Sequence, residues 1–280
     1  MDSSSYEFWD RAGRSEVHWF NAKLHAWLRC VGSGVTSVWE GYHADTAAPV
    51  RSHDEWTPWM SCCDEATAPV VRWFSRGQTN AAFNELDHHV LQGFDAAKAF
   101  ISDASGQTHE SISLQALFVE SSLVACVLAD DCGLAVGTRL AIFLPNCVSA
   151  VTWIEAAKRI GTPYVAVASG TASPSLVERL IDTAAKVLVS CDELVRTAQE
   201  ARQRIGAPPA GVLVPPSDVD VEGWQSADTA MRRARISAHL PASIVWRLLT
   251  PPRPVDANFP LLILYTSGST GEPKGVSKYK

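Results

Sequence analysis

Runs at 140–144, 164–167, 187–189 and 211–214 are short, continuous and apolar, and helix-length segments separate them. A strand that is apolar on both faces must be covered on both, and helices in the crossovers supply that cover. The pattern predicts parallel βαβ units, an α/β fold whose ligands bind beyond the carboxyl ends of the strands. The segments around these runs carry the matching helical signal. Leu114, Leu117, Phe118, Val124, Ala125 and Leu128 lie near one helix face, with Gly133 as a natural stop. A second helix spans 148–160 and closes on Gly161. Ser175 and Glu178 have capping-box spacing after Pro174, and Leu176, Leu180 and Ile181 form the apolar stripe of a third. A polar helical stretch separates the last two runs.

The rhythm is absent at two places. Residues 1–65 show little periodicity apart from a helix expected around 17–28, yet they hold Trp9, Trp19, Trp27, Trp39, Trp56 and Trp59. The reading is an irregular leader anchored by aromatic side chains, followed by an α/β domain over 66–280. Residues 215–258 contain Pro215, Pro216, Pro251, Pro252 and Pro254 and read as an insertion with some helix near 227–240.

Composition removes several function classes. A net charge of −6 without basic runs argues against a nucleic-acid partner. No apolar stretch reaches the ~18 residues that would span a bilayer. Asp2 stands where a secretory leader would be basic, so a soluble, cytoplasmic protein is expected, with an organellar presequence left open. The seven cysteines include no C-x-x-C pair and read as ordinary thiols. His18, His25, His88 and His89 have no acidic companion at ligand spacing, so no protein metal site is expected.

The apolar run 261–265 passes directly into Thr266-Ser267-Gly268-Ser269-Thr270-Gly271-Glu272-Pro273-Lys274-Gly275. A buried strand that opens into such a segment suits polyphosphate binding. Glycines let backbone N–H groups approach the anion, hydroxyls bond its oxygens, and a lysine offsets charge on a leaving pyrophosphate. This is not a Walker A loop. Five residues after Gly268 stands Pro273, and Lys274 precedes Gly275 rather than a hydroxyl residue.

With Tyr265 in front, this segment resembles the signature of the adenylate-forming (AMP-binding) superfamily, which holds acyl-CoA synthetases, peptide-synthetase adenylation domains and luciferases. The resemblance implies that Thr266, Ser267, Gly268, Ser269, Thr270, Gly271 and Lys274 handle the phosphates of ATP, with Lys274 catalytic and Mg2+ arriving with the nucleotide. A small carboxylic acid would attack the α-phosphate, and coenzyme A would displace AMP from the acyl-adenylate. Trp73 to Asn80, then Asn84 to His89, resembles a stretch of acetyl- and propionyl-CoA synthetases, as do 137–145, 156–161 and Val255 to Ala257. The resemblance thus implies an ATP-dependent short-chain acyl-CoA synthetase, with 66–280 as the first part of its AMP-binding domain. Thr79, Asn80 and 157–159 lean toward propionyl-CoA synthetase or the multidomain propionyl-CoA synthase.

The sequence also departs from that family. His88 replaces its arginine, Thr138 its aspartate, and Ser169-Gly170-Thr171 its G-G-F turn. Arg196 falls where its first coenzyme A phosphate-binding arginine would be, and Gln199 where the second is expected. Only five residues follow Gly275, whereas the family's ribose-binding acid, acyl pocket and second catalytic lysine would lie downstream. The expectation is an incomplete chain that makes no acyl-CoA alone. The alternatives are a truncated non-catalytic relative, or part of another adenylating enzyme.

Overall fold

The computed structural model describes residues 3–20, 58–104, 108–214, 217, 220–228, 250–266 and 274–279. The chain opens with α1 (Ser3–Glu16), followed by β1 (Ser61–Asp64), β2 (Arg72–Ser75) and β3 (Gln78–Thr79). A π-helical turn, Phe83–Asp87, runs into α2 (His88–Leu91). An antiparallel hairpin of β4 (Lys98–Ala104) and β5 (Thr108–Ser113) leads to α3 (Leu114–Cys126). Then β6 (Leu140–Phe143), α4 (Val148–Ile160), β7 (Tyr164–Val167), α5 (Ser173–Thr183), β8 (Val187–Ser190), α6 (Val195–Gln203) and β9 (Ala210–Leu213) alternate. The remaining strands are β10 (Trp224–Ser226), β11 (Val255–Asp256), β12 (Pro260–Thr266) and β13 (Lys274–Tyr279).

Among the described residues the main sheet has the order β10-β9-β8-β6-β7-β12-β13. All neighbours are parallel except the β12–β13 pair. β6 and β8 are buried along their whole length, as continuous apolar runs require. Alternation along β6 explains the two-sided cover. Leu140 and Ile142 pack with Trp153 and Ile160 of α4, whereas Ala141 and Phe143 pack with Leu176 and Leu180 of α5 and Ala198 and Ala201 of α6.

Local chemistry sets the helix ends. The Ser113 hydroxyl accepts from the Ala116 N–H at 3.1 Å and starts α3. Gly161 closes α4 at φ 71°, in the left-handed region. α5 corrects the capping-box expectation. Its N-cap is Ala172, with no side-chain cap, and Pro174 lies in its first turn. The fixed φ and missing N–H of proline suit the first turn, so the helix starts before Ser175 rather than after it. Ile181 of the expected stripe is exposed, while Thr183 is buried.

The leader is also corrected. A helix occupies 3–16, upstream of the expected one; 17–20 are not helical, and 21–28 lie outside the described residues. Trp19 and Trp59 are buried and pack with Phe74 as the aromatic density suggests, whereas Trp9 is exposed. The Trp19 indole N–H donates to the Gly13 carbonyl at 2.8 Å, which ties α1 to this cluster. The β4–β5 hairpin and β10 add strands that the apolar runs did not show. Most of the helix expected at 227–240 lies outside the described residues. Among the described residues, no helix is long and apolar enough to cross a membrane.

Candidate functional site

β12 is parallel to β7, so Thr266 lies at the carboxyl edge of the sheet. β13 returns from that edge, with Thr266 opposite Lys274 and Tyr265 opposite Gly275. Thr266 and the Lys274 backbone therefore stand on the side of the sheet where α/β ligands bind. Thr266 is exposed there. Ser267, Gly268, Ser269, Thr270, Gly271 and the Lys274 side chain lie outside the described residues.

Next to this edge, the Tyr265 hydroxyl donates to the Asp182 carboxylate of α5. The Arg179 guanidinium lies over the Tyr265 ring, 5.1 Å from its centroid, and donates to the Ser175 carbonyl at 2.7 Å. Burial and the Asp182 carboxylate push the Tyr265 phenol well above its ordinary pKa, so it keeps its proton. Sequence reading missed Asp182 and Arg179. Their i, i+3 spacing on one helix face was visible, but its destination was not.

Arg196 is exposed on the first turn of α6, which follows the carboxyl end of β8. In strand order β8 is three positions from β12, roughly 14 Å at normal strand spacing. Arg196 and Thr266 thus share an edge of the sheet without meeting. Gln199 faces other partners. Its side-chain oxygen accepts from the Trp224 indole N–H at 2.8 Å and from Arg202 at 3.1 Å.

The residues that carried the finer resemblance converge elsewhere. Asn80 donates to the carbonyls of Lys158 at 3.0 Å, Arg159 at 3.1 Å and Arg253 at 2.8 Å. Asp87 and Arg159, both fully buried, form an ion pair under the Phe118 ring. Burial pushes the Asp87 carboxyl up, against the pull of Arg159. Lys158 bonds Glu155 at 2.7 Å and also Glu85. Burial draws the Lys158 ammonium down, but the two carboxylates outweigh it and hold its pKa above the usual value. α4 runs back from the carboxyl end of β6 to the amino end of β7, so this network fastens the edge opposite Thr266. Its residues hold the fold together and lie away from the edge that carries Thr266.

The departures fit locally. His88 stacks on Phe83 and His89, and its ring bonds Gln92 at 2.9 Å. The Thr138 hydroxyl accepts from the Ala135 N–H at 3.1 Å and donates to the Ala135 carbonyl, closing its turn without an aspartate.

A mostly parallel sheet covered on both faces, with Thr266 and the Lys274 backbone at its carboxyl edge, defines an α/β class. A family model described as AMP-binding enzyme matches residues 87–277, and the chain belongs to that family. The chain is 32% identical over 222 residues to the acetyl-coenzyme A synthetase of Cupriavidus metallidurans, covering 78% of this chain and 34% of that one. It is 33% identical over 251 residues to the acetyl-coenzyme A synthetase of Paraburkholderia phymatum, covering 85% and 36%. In fold it is similar to the crystal structure of Brucella canis acyl-CoA synthetase, with a TM-score of 0.59 at 20% identity, covering 72% of this chain and 33% of that one. The chain spans about a third of the length of the curated relatives it matches.

Proposed function

We propose that this chain supplies the phosphate-binding part of an ATP-dependent short-chain acyl-CoA synthetase. The reaction joins an acetate- or propionate-type acid to coenzyme A and converts ATP to AMP and pyrophosphate. The observation that carries this reading is the position of Thr266 and Lys274 at the carboxyl edge of the sheet, in a chain similar to acetyl-coenzyme A synthetases. In this reading 1–65 form a leader and 66–280 the first part of the AMP-binding domain.

The chemistry follows from charge. A carboxylate oxygen attacks the α-phosphorus, the bond to the bridging oxygen breaks, and pyrophosphate leaves with the electron pair. The hydroxyls of Thr266, Ser267, Ser269 and Thr270 and the backbone N–H groups at Gly268 and Gly271 hold the β- and γ-phosphates. Lys274 meets the charge that builds up on the leaving group. Mg2+, bound to the phosphates, would neutralise part of the same charge. The thiol sulfur of coenzyme A then attacks the acyl carbon and expels AMP. Arg196 would contact a coenzyme A phosphate from the neighbouring part of the same edge.

ATP–pyrophosphate exchange with a panel of carboxylic acids, on the protein at its full native length, tests this. Acetate or propionate should support exchange, and Lys274→Ala should slow it by ~10²-fold, as removal of other single electrostatic groups does. Exchange with neither acid, or an unchanged rate in Lys274→Ala, overturns the reading. One observation favours a second reading, nucleotide binding without thioester formation. Gln199 bonds Trp224 and Arg202 where a second phosphate-binding arginine was expected, so Arg196 would act without that pair. Exchange without thioester product would decide for it. The lean of Thr79, Asn80 and 157–159 toward propionate is tested by the same panel, in which the two acids are compared directly.

A further inference from the structure

The parallel pairing of β12 with β7 covers Leu262 and Ile263, opposite Tyr164 and Val165. The β12–β13 ladder continues past it to Thr266 and Lys274. In that register Tyr265 stands level with Val167, the last residue of β7, so Thr266 and Lys274 lie just past the end of this neighbour. A two-stranded end of this kind is marginal by itself, so contacts from outside the ladder help to set its position. Among the described residues, side chains of α5 make such a contact.

Three side chains make that contact. Tyr265, one residue before Thr266, donates its hydroxyl proton to Asp182. Arg179, one turn earlier on α5, covers the Tyr265 ring and is itself anchored to the Ser175 carbonyl. Gly275 stands opposite Tyr265, one residue after Lys274. A Cβ there would lie 3.1 Å from Asp182 Oδ2, 3.1 Å from Tyr265 Cζ and 3.2 Å from the Tyr265 hydroxyl. The glycine thus leaves room for the carboxylate and phenol to close across the hairpin. This gives the Lys274-Gly275 pair a spatial reason that the sequence motif does not provide.

We infer that Asp182, Arg179 and Tyr265 form a clamp through which α5 fixes the flanks of the phosphate segment, making them positioning residues for the polyphosphate of ATP. The inference rests on the proposed reading of that segment as ATP-binding. None of the three needs to touch the nucleotide. They set where Thr266 and Lys274 stand, and a shift of about 1 Å at such a place costs up to ~10²-fold in rate.

Amide hydrogen exchange and Mg-ATP calorimetry on the protein at its full native length test this together. Tyr265→Phe and Asp182→Ala should each speed exchange at 264–266 and 275–277 by about tenfold or more, the loss expected for one charge-assisted hydrogen bond, with β6 and β8 unchanged. The double variant should be no worse than either single, because both remove the same bond. Each variant should also weaken Mg-ATP binding severalfold. Unchanged exchange, or additive effects in the double variant, overturns the clamp. Faster exchange with unaltered Mg-ATP affinity overturns its positioning role and leaves only a structural contact. If the unsubstituted chain binds no Mg-ATP, the ATP-binding reading falls, and the exchange results still decide the clamp.

Discussion

Asp87 and Arg159 are side chains that water would normally hold, yet both are fully buried. Removing two charges from water is costly, and mutual attraction offsets the cost only when the geometry is good and the remaining polar atoms have partners. Here Asp87 takes two guanidinium nitrogens and Arg159 also donates to the Thr250 carbonyl at 3.3 Å, while the buried Arg159 Nε has no hydrogen-bond partner among the described residues. The pair is therefore easily damaged from one side. Arg159→Met should destabilise the protein by ~3–5 kcal/mol, because it leaves a buried carboxylate without its partner. Adding Asp87→Leu should recover most of that loss. Urea unfolding midpoints of the two variants check the order. A double variant as unstable as Arg159→Met would mean that the cost lies in packing rather than in the stranded charge. The sequence showed these residues only as matches to a family pattern. Their 72-residue separation hid the fact that they meet.

The elements that could be read best were those whose burial is simplest. β6, β7, β8 and α4 follow from continuous apolar runs and a helical period ended by glycine, because a strand or stripe buried on the sheet must be apolar at every such position. α1 was not visible for the opposite reason. Tyr6, Phe8 and Trp9 are exposed, and Gly13 in its interior looks like a breaker. Yet a Cβ at Gly13 would lie 2.6 Å from Phe74 Cε1, so the glycine serves close packing that only the tertiary fold reveals. Gly161 permits a quantitative test at the same scale. Gly133 and Gly161 both have positive φ, at 63° and 71°. A Cβ on Gly161 would meet Val255 Cγ1 at 2.9 Å, while one on Gly133 would meet nothing within 4 Å. Gly133→Ala should cost ~1–2 kcal/mol, the backbone strain alone. Gly161→Ala should cost measurably more. Equal losses in thermal unfolding would show that Val255 moves aside freely.

The whole molecule carries a pH dependence that no single element predicts. His18 packs against Phe20 and Phe83, with Asn84 bonding its backbone N–H at 2.6 Å. Burial, and secondarily the charge of His88, lower its pKa from 6.5 to about 4. Above pH 6.5 the imidazole is neutral whether the chain is folded or not, and stability is unaffected. As pH falls from 6.5 to about 4, the unfolded chain takes up a proton that the folded one refuses, and stability declines. The loss approaches about 3 kcal/mol at ~1.4 kcal/mol per unit. Urea unfolding at pH 7 and pH 4.5 should show this decline, and His18→Leu should flatten it. An equally steep decline in His18→Leu would assign the acid sensitivity to other groups.

At that scale the division between sequence and structure is plain. The sequence by itself determined the α/β class, the helix and strand order of 114–213 and the hydroxyl, glycine and lysine make-up of the segment beginning at Thr266. Each depends on neighbours along the chain, through periodicity, continuous burial and the run of hydroxyl, glycine and lysine residues. Only the tertiary structure decided that β13 turns back antiparallel, that Asp87 reaches Arg159, and that Asp182 reaches Tyr265 across Gly275. These contacts join residues 8 to 83 positions apart, and no local pattern encodes such a meeting. It arises when crossover helices return each segment to the same sheet and bring its two edges into place.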